Sequence, residues 1–242
     1  MSNHINWGII GCGDVTEVKS GPAFNKVDRS SLHAVMRRNA AKAKDYAERH
    51  NVPVWYDSAD DLIADNLVNA VYIATPPAYH EEYAVKALKA GKDVYVEKPM
   101  ALTASGCQRI AHAAELSGGK VSVAHYRRAM PFFLKIKELI ESNTIGQVLF
   151  VNLKMFQGAK NEVISKTEDN WRLDPLISGG GLFYDLAPHQ IDMMLYLFGS
   201  AQKASGFSST TGKTTVPDLI SGQILLPNNV LFNGLWCFNV PE

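Results

Sequence analysis

Ile5-Asn6-Trp7-Gly8-Ile9-Ile10-Gly11-Cys12-Gly13 begins with an apolar run and ends in two glycines one residue apart. The run reads as a buried strand. The glycines read as the turn behind it, where backbone can approach a phosphate because no side chain intervenes. A helix starting there offers unpaired N–H groups and the positive end of its dipole, so Gly11, Cys12, Gly13, Asp14 and Val15 are candidate phosphate-binding positions. Thr16 stands where the full dinucleotide fingerprint has Gly or Ala, a position that serves helix–strand packing. The spacing alone also fits an ordinary tight turn. A helical stretch is expected from Asp14 to Lys26, interrupted early by Gly21-Pro22.

Composition excludes several classes. The chain has 242 residues, enough for one large or two ordinary domains, and balances 24 basic against 24 acidic residues. No long basic run or interleaved aromatic stripe supports nucleic-acid binding. Three widely spaced cysteines, Cys12, Cys107 and Cys237, imply neither a disulfide framework nor a zinc cluster. The N-terminus enters a strand almost at once, leaving no room for a signal peptide, and no apolar stretch is long enough to span a bilayer. A soluble protein of the reducing cytoplasm is expected.

Working outward, short β-branched runs at 5–10, 31–37, 70–74, 93–96 and 121–125 alternate with helical patterns. The helices are expected over Ala40 to His50, Ala59 to Asp65, His80 to Ala90 and Thr103 to Ser117. This alternation predicts an α/β, doubly wound parallel sheet over residues 1–124. The rhythm then changes. A helix from Phe132 to Glu141, a strand at 148–156 and a helix near 185–198 precede strand runs at 202–209, 218–226 and 230–239. The last two are joined by Pro227-Asn228-Asn229, a hairpin signal. Residues 125–242 therefore read as an α+β domain on a mainly antiparallel sheet.

Four constellations carry chemistry. Strand two ends in Arg37-Arg38, where an NAD site ordinarily has an acidic residue for the ribose. A guanidinium there can hold the 2′-phosphate of NADP; the alternative is a solvated basic strand end. Strand three runs into Thr75-Pro76-Pro77, a stiff loop at the ligand-binding edge, and His80 follows as either a ligand or a packing group at the helix start. Strand four delivers Glu97-Lys98-Pro99 to the same edge. The Lys98 amine can reach a substrate hydroxyl, or the two charges form a surface ion pair. Finally, Gly179-Gly180-Gly181 leads to Asp185, His189 and Asp192, which one helical face can carry. That spacing resembles a metal site but lacks further His or Cys ligands, so acid–base work by His189 beside a carboxylate fits better. Pro188 belongs in a first turn, which places the helix start near Asp185.

In this order the motifs resemble the Gfo/Idh/MocA family of nicotinamide-dependent oxidoreductases, named for glucose–fructose oxidoreductase and inositol dehydrogenase. The resemblance spans essentially the whole chain. It implies an N-terminal Rossmann domain, a C-terminal domain with an open-faced sheet, and a substrate pocket between them. It also implies Lys98 and His189 as the catalytic pair, with Asp185 orienting substrate. Arg127, Trp171 and Arg172 fall where the family lines its pocket. The implied cofactor is NADP, with NAD possible, and the implied substrate is a sugar, cyclitol or related polyol oxidised at a secondary hydroxyl. Neither a metal nor a nucleic acid is expected.

Family members are generally longer, so the second domain is expected to be incomplete and copies to associate through its sheet. Two other functions compete: an inactive dinucleotide-binding regulator on the same fold, and a metal-dependent hydrolase using Asp185, His189 and Asp192. The hydrolase leaves Glu97-Lys98-Pro99 unexplained.

Overall fold

The computed structural model describes residues 4–158, 171–211 and 215–240. The chain divides into two compact units, Met1–Ala124 and His125–Glu242. Among the described residues, no helix is long and apolar enough to cross a membrane.

The first unit is a six-stranded sheet of β1 (Ile5–Ile10), β2 (Ser30–Met36), β3 (Val54–Tyr56), β4 (Ala70–Ile73), β5 (Asp93–Val96) and β6 (Val121–Val123). The strand order is β3-β2-β1-β4-β5-β6 and every pair is parallel. This is the order of a doubly wound dinucleotide-binding sheet, whose chain reversal beside β1 opens a crevice at the carboxyl edge. Successive residues face opposite sides of a strand. Ile10, Met36, Val71 and Ile73 therefore enter one core, while Ile9, Val35 and Tyr72 enter the other.

Helices cover the sheet: α1 (Asp14–Val18), α2 (Ala40–His50), α3 (Ala59–Ala64), α4 (His80–Lys89) and α5 (Ala104–Ser117). Asn39, Ser58 and Thr103 cap α2, α3 and α5 by accepting main-chain N–H bonds with their side chains. Strand β3 departs from the sequence reading, which has no element there. Its three residues follow Pro53 at the sheet edge, too few to show a period. As expected, α1 is cut short by Gly21-Pro22, which form a single 3₁₀ turn with Ala23.

The second unit holds α6 (Pro131–Glu141), β7 (Phe150–Gly158), α7 (Pro175–Ser178), α8 (Gly181–Phe198), β8 (Lys203–Ser209), β9 (Leu219–Leu225) and β10 (Leu231–Val240). The sheet order is β7-β10-β9-β8. Two of its pairings are antiparallel, whereas β7 and β10 run parallel, which the sequence reading did not separate. The β9–β10 hairpin turns on Asn228 and Asn229, with φ of 57° and 59°. Both asparagines occupy the left-handed region that primed hairpin turns require. Phe232, Trp236 and Phe238 alternate inward from β10 onto a core that includes Ala187, Met193 and Met194 of α8. The opposite face is open, with Phe207 86% exposed.

Helix α8 corrects the expected boundary: it starts at Gly181, and Pro188 lies inside it. Proline removes one amide donor and crowds the preceding turn. Ala187, His189, Met193 and Met194 are nonetheless buried along the helix, so tertiary packing outweighs the local penalty.

Gly21 tests the packing behind α1. A Cβ there would collide with the Thr16 carbonyl oxygen and the Tyr46 hydroxyl. Gly21→Ala is expected to cost about 1–3 kcal/mol, the scale of overpacking in a dense core, measured by denaturant unfolding.

Candidate active site

At the end of β1, Gly11 takes a φ of 95°, and a Cβ there would lie 2.9 Å from Thr75 Cγ2 and 3.0 Å from Thr75 N. The loop thus passes directly against the end of β4. At Gly13 the Cβ position is open, its nearest neighbour being the Gly11 carbonyl oxygen at 3.9 Å. Gly13 is the N-cap of α1, and the Asp14 and Val15 amides at its start have no acceptor within the helix.

Thr16, the departure from the glycine fingerprint, has an evident role. It is fully buried, and both its N–H and its hydroxyl donate to the Gly13 carbonyl, at 2.9 and 2.7 Å. Its own carbonyl accepts from the buried Tyr46 hydroxyl at 2.8 Å. Arg49 joins the outer face of α1 to α2 through two 2.8 Å bonds to the Glu17 carboxylate, and His50 adds a third contact at 2.7 Å. A five-residue helix cannot hold itself. Here α2 holds it.

Cys12 corrects the expected phosphate contact. Its side chain is buried in the core, its N–H donates to the Met36 carbonyl at 3.1 Å, and burial pushes its thiol up to about 11. Its carbonyl accepts from Arg37 Nη1 at 3.4 Å. Arg37 therefore lies on the rim of the glycine loop. Arg38 is exposed and stands over the Tyr79 ring, 5.2 Å from its centroid.

Thr75 Oγ1 is buried and has no hydrogen-bond partner among the described residues. An orphaned hydroxyl beside an open glycine loop suits a polar ligand. A dinucleotide fits this edge: Gly13 leaves the room, the first amides of α1 suit a diphosphate, and two guanidinium groups follow β2.

His80 is a second correction. Its ring is fully buried, with Nδ1 2.8 Å from the Pro99 carbonyl oxygen and Nε2 2.7 Å from that of Thr75. Both nitrogens face main-chain oxygens, so the ring is not a cofactor contact. Burial, with the Lys98 charge adding, holds its pKa below the ordinary histidine value. Glu97 is used in a similar way: Oε1 accepts from the buried Tyr72 hydroxyl at 2.6 Å and Oε2 from the Lys98 amide at 3.2 Å. The Lys98–Pro99 peptide is cis. Tyr72 was not found by sequence reasoning because an aromatic in a buried strand reads as core.

The second unit brings the other predicted residues together along α8. Asp185 Oδ2 accepts from Arg172 Nε at 2.8 Å, and the Arg172 guanidinium stacks on Trp171, 4.5 Å from the ring centroid. His189 is 8% exposed and meets the Tyr126 ring edge-on at 5.6 Å. Asp192 is neither acid–base group nor metal ligand: Arg128 grips both its oxygens, and His125 Nδ1 lies 3.6 Å away. This pair fastens the turn Tyr126–Ala129, which carries Arg127, to α8. Among the described residues no group of three His, Cys, Asp or Glu side chains is placed to hold a metal ion.

The Glu17 network makes a pH prediction. Arg49, and secondarily His50, lower the Glu17 carboxyl from its ordinary 4.5 to about 2. A depressed folded-state pKa contributes stability above the unfolded value and loses it as pH falls through the folded one. Wild type is therefore expected to exceed Glu17→Gln in stability above pH 4.5, with the gap closing towards pH 2. Urea unfolding across that range would show it, and a gap independent of pH would refute it.

Residues 5–125 match the Gfo/Idh/MocA oxidoreductase family with its NAD-binding Rossmann fold, and residues 133–242 match the Gfo/Idh/MocA C-terminal domain. The chain is 50% identical to an oxidoreductase of Formosa agariphila over all of this chain and 75% of that protein. It is 30% identical to a scyllo-inositol 2-dehydrogenase (NADP(+)) of Bacillus subtilis, covering 81% of this chain and about half (52%) of that one. The crystal structure of aldose-aldose oxidoreductase from Caulobacter crescentus, complexed with glycerol, superposes with a TM-score of 0.86 at 26% identity, over 98% of this chain and 72% of that one. With both domains matched in order, the chain belongs to the Gfo/Idh/MocA family of oxidoreductases.

Proposed function

We propose that this protein is an NADP-preferring dehydrogenase or reductase acting on a secondary hydroxyl of a sugar, cyclitol or related polyol. The observation that carries the reading is the pairing on α8: Asp185 and His189 share a face, and Asp185 is held by a guanidinium rather than a metal site. The names of the relatives support the substrate class, since one is an inositol dehydrogenase using NADP(+) and another an aldose-aldose oxidoreductase. In this reading the first unit, 1–124, binds the dinucleotide and the second, 125–242, binds substrate.

When bound, the nicotinamide supplies the hydride acceptor or donor. The protein supplies positions and proton transfer. His189 takes the proton of the reacting hydroxyl, Lys98 stabilises the developing alkoxide and relays the proton, and Asp185 orients the substrate. Arg127, Trp171 and Arg172 line the substrate side. The cofactor side is formed by Gly11, Gly13, Asp14, Val15, Thr75, Pro76 and Pro77, with Arg37 and Arg38 engaging the 2′-phosphate. Copies associate through the open face of the four-stranded sheet, where Phe150 and Phe207 are exposed.

Two measurements test this reading. Lys98→Ala and His189→Ala are each expected to lower kcat by about 10²–10⁴-fold, the usual worth of a general acid or base, in a polyol screen followed by NADPH absorbance. Turnover that survives both changes refutes the assigned roles, and cofactor binding without reduction of NADP by any polyol indicates a regulator. By calorimetry, NADP should bind more tightly than NAD, and Arg37→Ala with Arg38→Ala should cost roughly tenfold or more in NADP affinity, as charge-assisted bonds predict.

A further inference from the structure

The β4–β5 ladder ends where Glu97 N–H donates to the Ile73 carbonyl at 2.9 Å. Beyond it the two chains leave the sheet as the loops that carry Thr75 and Lys98. No main-chain bond between these loops continues the ladder among the described residues. A side chain occupies the next rung. His80 Nε2 lies 2.7 Å from the Thr75 carbonyl oxygen and Nδ1 2.8 Å from that of Pro99, the residue after Lys98.

We propose that His80 is a positioning residue for Lys98, its buried ring wedged between the Pro99 and Thr75 carbonyls and donating its one N–H to one of them, so that the Lys98 side chain leaves from a fixed point beside the dinucleotide edge. The proposal rests on Lys98 acting as the proton relay. The ring is itself well anchored, because it opens α4, whose Ala84, Ala87 and Leu88 are fully buried. The flank before Lys98 is held independently, by Tyr72 on Glu97 Oε1 and by the bond from the Lys98 amide to Glu97 Oε2. Removing the ring therefore frees one side of Lys98 and leaves the other tied. A side chain with no solvent exposure and two acceptors at its nitrogens has no surface role to compete with this one.

The test compares wild type, His80→Leu, His80→Gln and Lys98→Ala by three readouts: amide hydrogen exchange of the cofactor-free protein, fluorescence titration with NADPH, and turnover of the polyol that wild type oxidises. In His80→Leu, peptides covering residues 74–79 and 97–101 should exchange faster while those from β1 stay unchanged. Its kcat should fall roughly ten- to hundredfold, the scale of a misplaced catalytic group, with a smaller loss of NADPH affinity because Thr75, Pro76 and Pro77 lie on the cofactor side. Glutamine, which restores a donor, should recover part of that loss. Unchanged exchange and kcat in His80→Leu overturn the proposal, as does a kcat loss matched by global destabilisation and an equal loss of NADPH affinity. If Lys98→Ala keeps full turnover, or wild type oxidises no polyol, the functional reading fails while loop exchange still decides the bridge. Should His80→Leu not fold, nitrogen NMR of the wild-type ring decides: a slowly exchanging ring N–H assigned to His80 supports the bridge, and its absence overturns it.

Discussion

Backbone meets backbone at the carboxyl edge of the parallel sheet, and Gly11 is where this happens. With Thr75 N 3.0 Å from the point a Cβ would occupy, no other residue fits that turn without displacing the end of β4. The remaining contacts at the edge follow from this one. Thr75, held against the glycine loop, passes its carbonyl to His80; His80 reaches Pro99; and Glu97, on the other side of Lys98, is held from β4 by Tyr72. A continuous set of short contacts therefore runs from the glycine loop to Lys98, all within the first unit.

The parallel sheet was legible because buried strands alternate with capped, amphipathic helices, and each capping residue is written in the sequence at Asn39, Ser58 and Thr103. What was not legible has physical causes. Strand β3 is three residues at an edge, too short for a period. The parallel pairing of β7 with β10 leaves no mark, since inward–outward alternation is the same for either direction. Pro188 argued locally against a helix that packing enforces. At the candidate site the sequence pointed to residues bearing unusual chemistry at strand ends, whereas the side chains that hold them in place did not stand out. Tyr72 looks like core, and Arg128 meets Asp192 across 64 residues of sequence. The spacing of Asp185, His189 and Asp192 suggested metal ligation, yet arginines from two separate segments claim the two carboxylates.

The helices that carry the two sets of site residues are stabilised in opposite ways. Helix α1 has five residues and no side-chain N-cap bond, so its position comes from Tyr46, Arg49 and His50 of α2. Helix α8 has eighteen residues and anchors its own buried face despite an internal proline. Under the proposed function both positions require rigid placement, because a phosphate-binding turn and a general base tolerate little displacement.

On the open face of the second sheet, Asn152, Asn233 and Gln223 stand at one register level on β7, β10 and β9. They are joined side by side, Gln223 donating to Asn233 at 2.9 Å and Asn233 to Asn152 at 3.1 Å. This row of amides divides the face, with Phe150, Leu231 and Leu225 on one side and Leu235, Phe207, Phe156 and Leu219 on the other. A slip of one residue between β9 and β10 would turn Gln223 or Asn233 into the core and break the row, so the sheet is aligned by its solvent side as well as its buried one. The same row separates two apolar strips, each interrupted by a lysine, Lys203 beside Leu225 and Lys154 beside Leu235, so a flat apolar partner could cover the face only by leaving amide and ammonium groups dry.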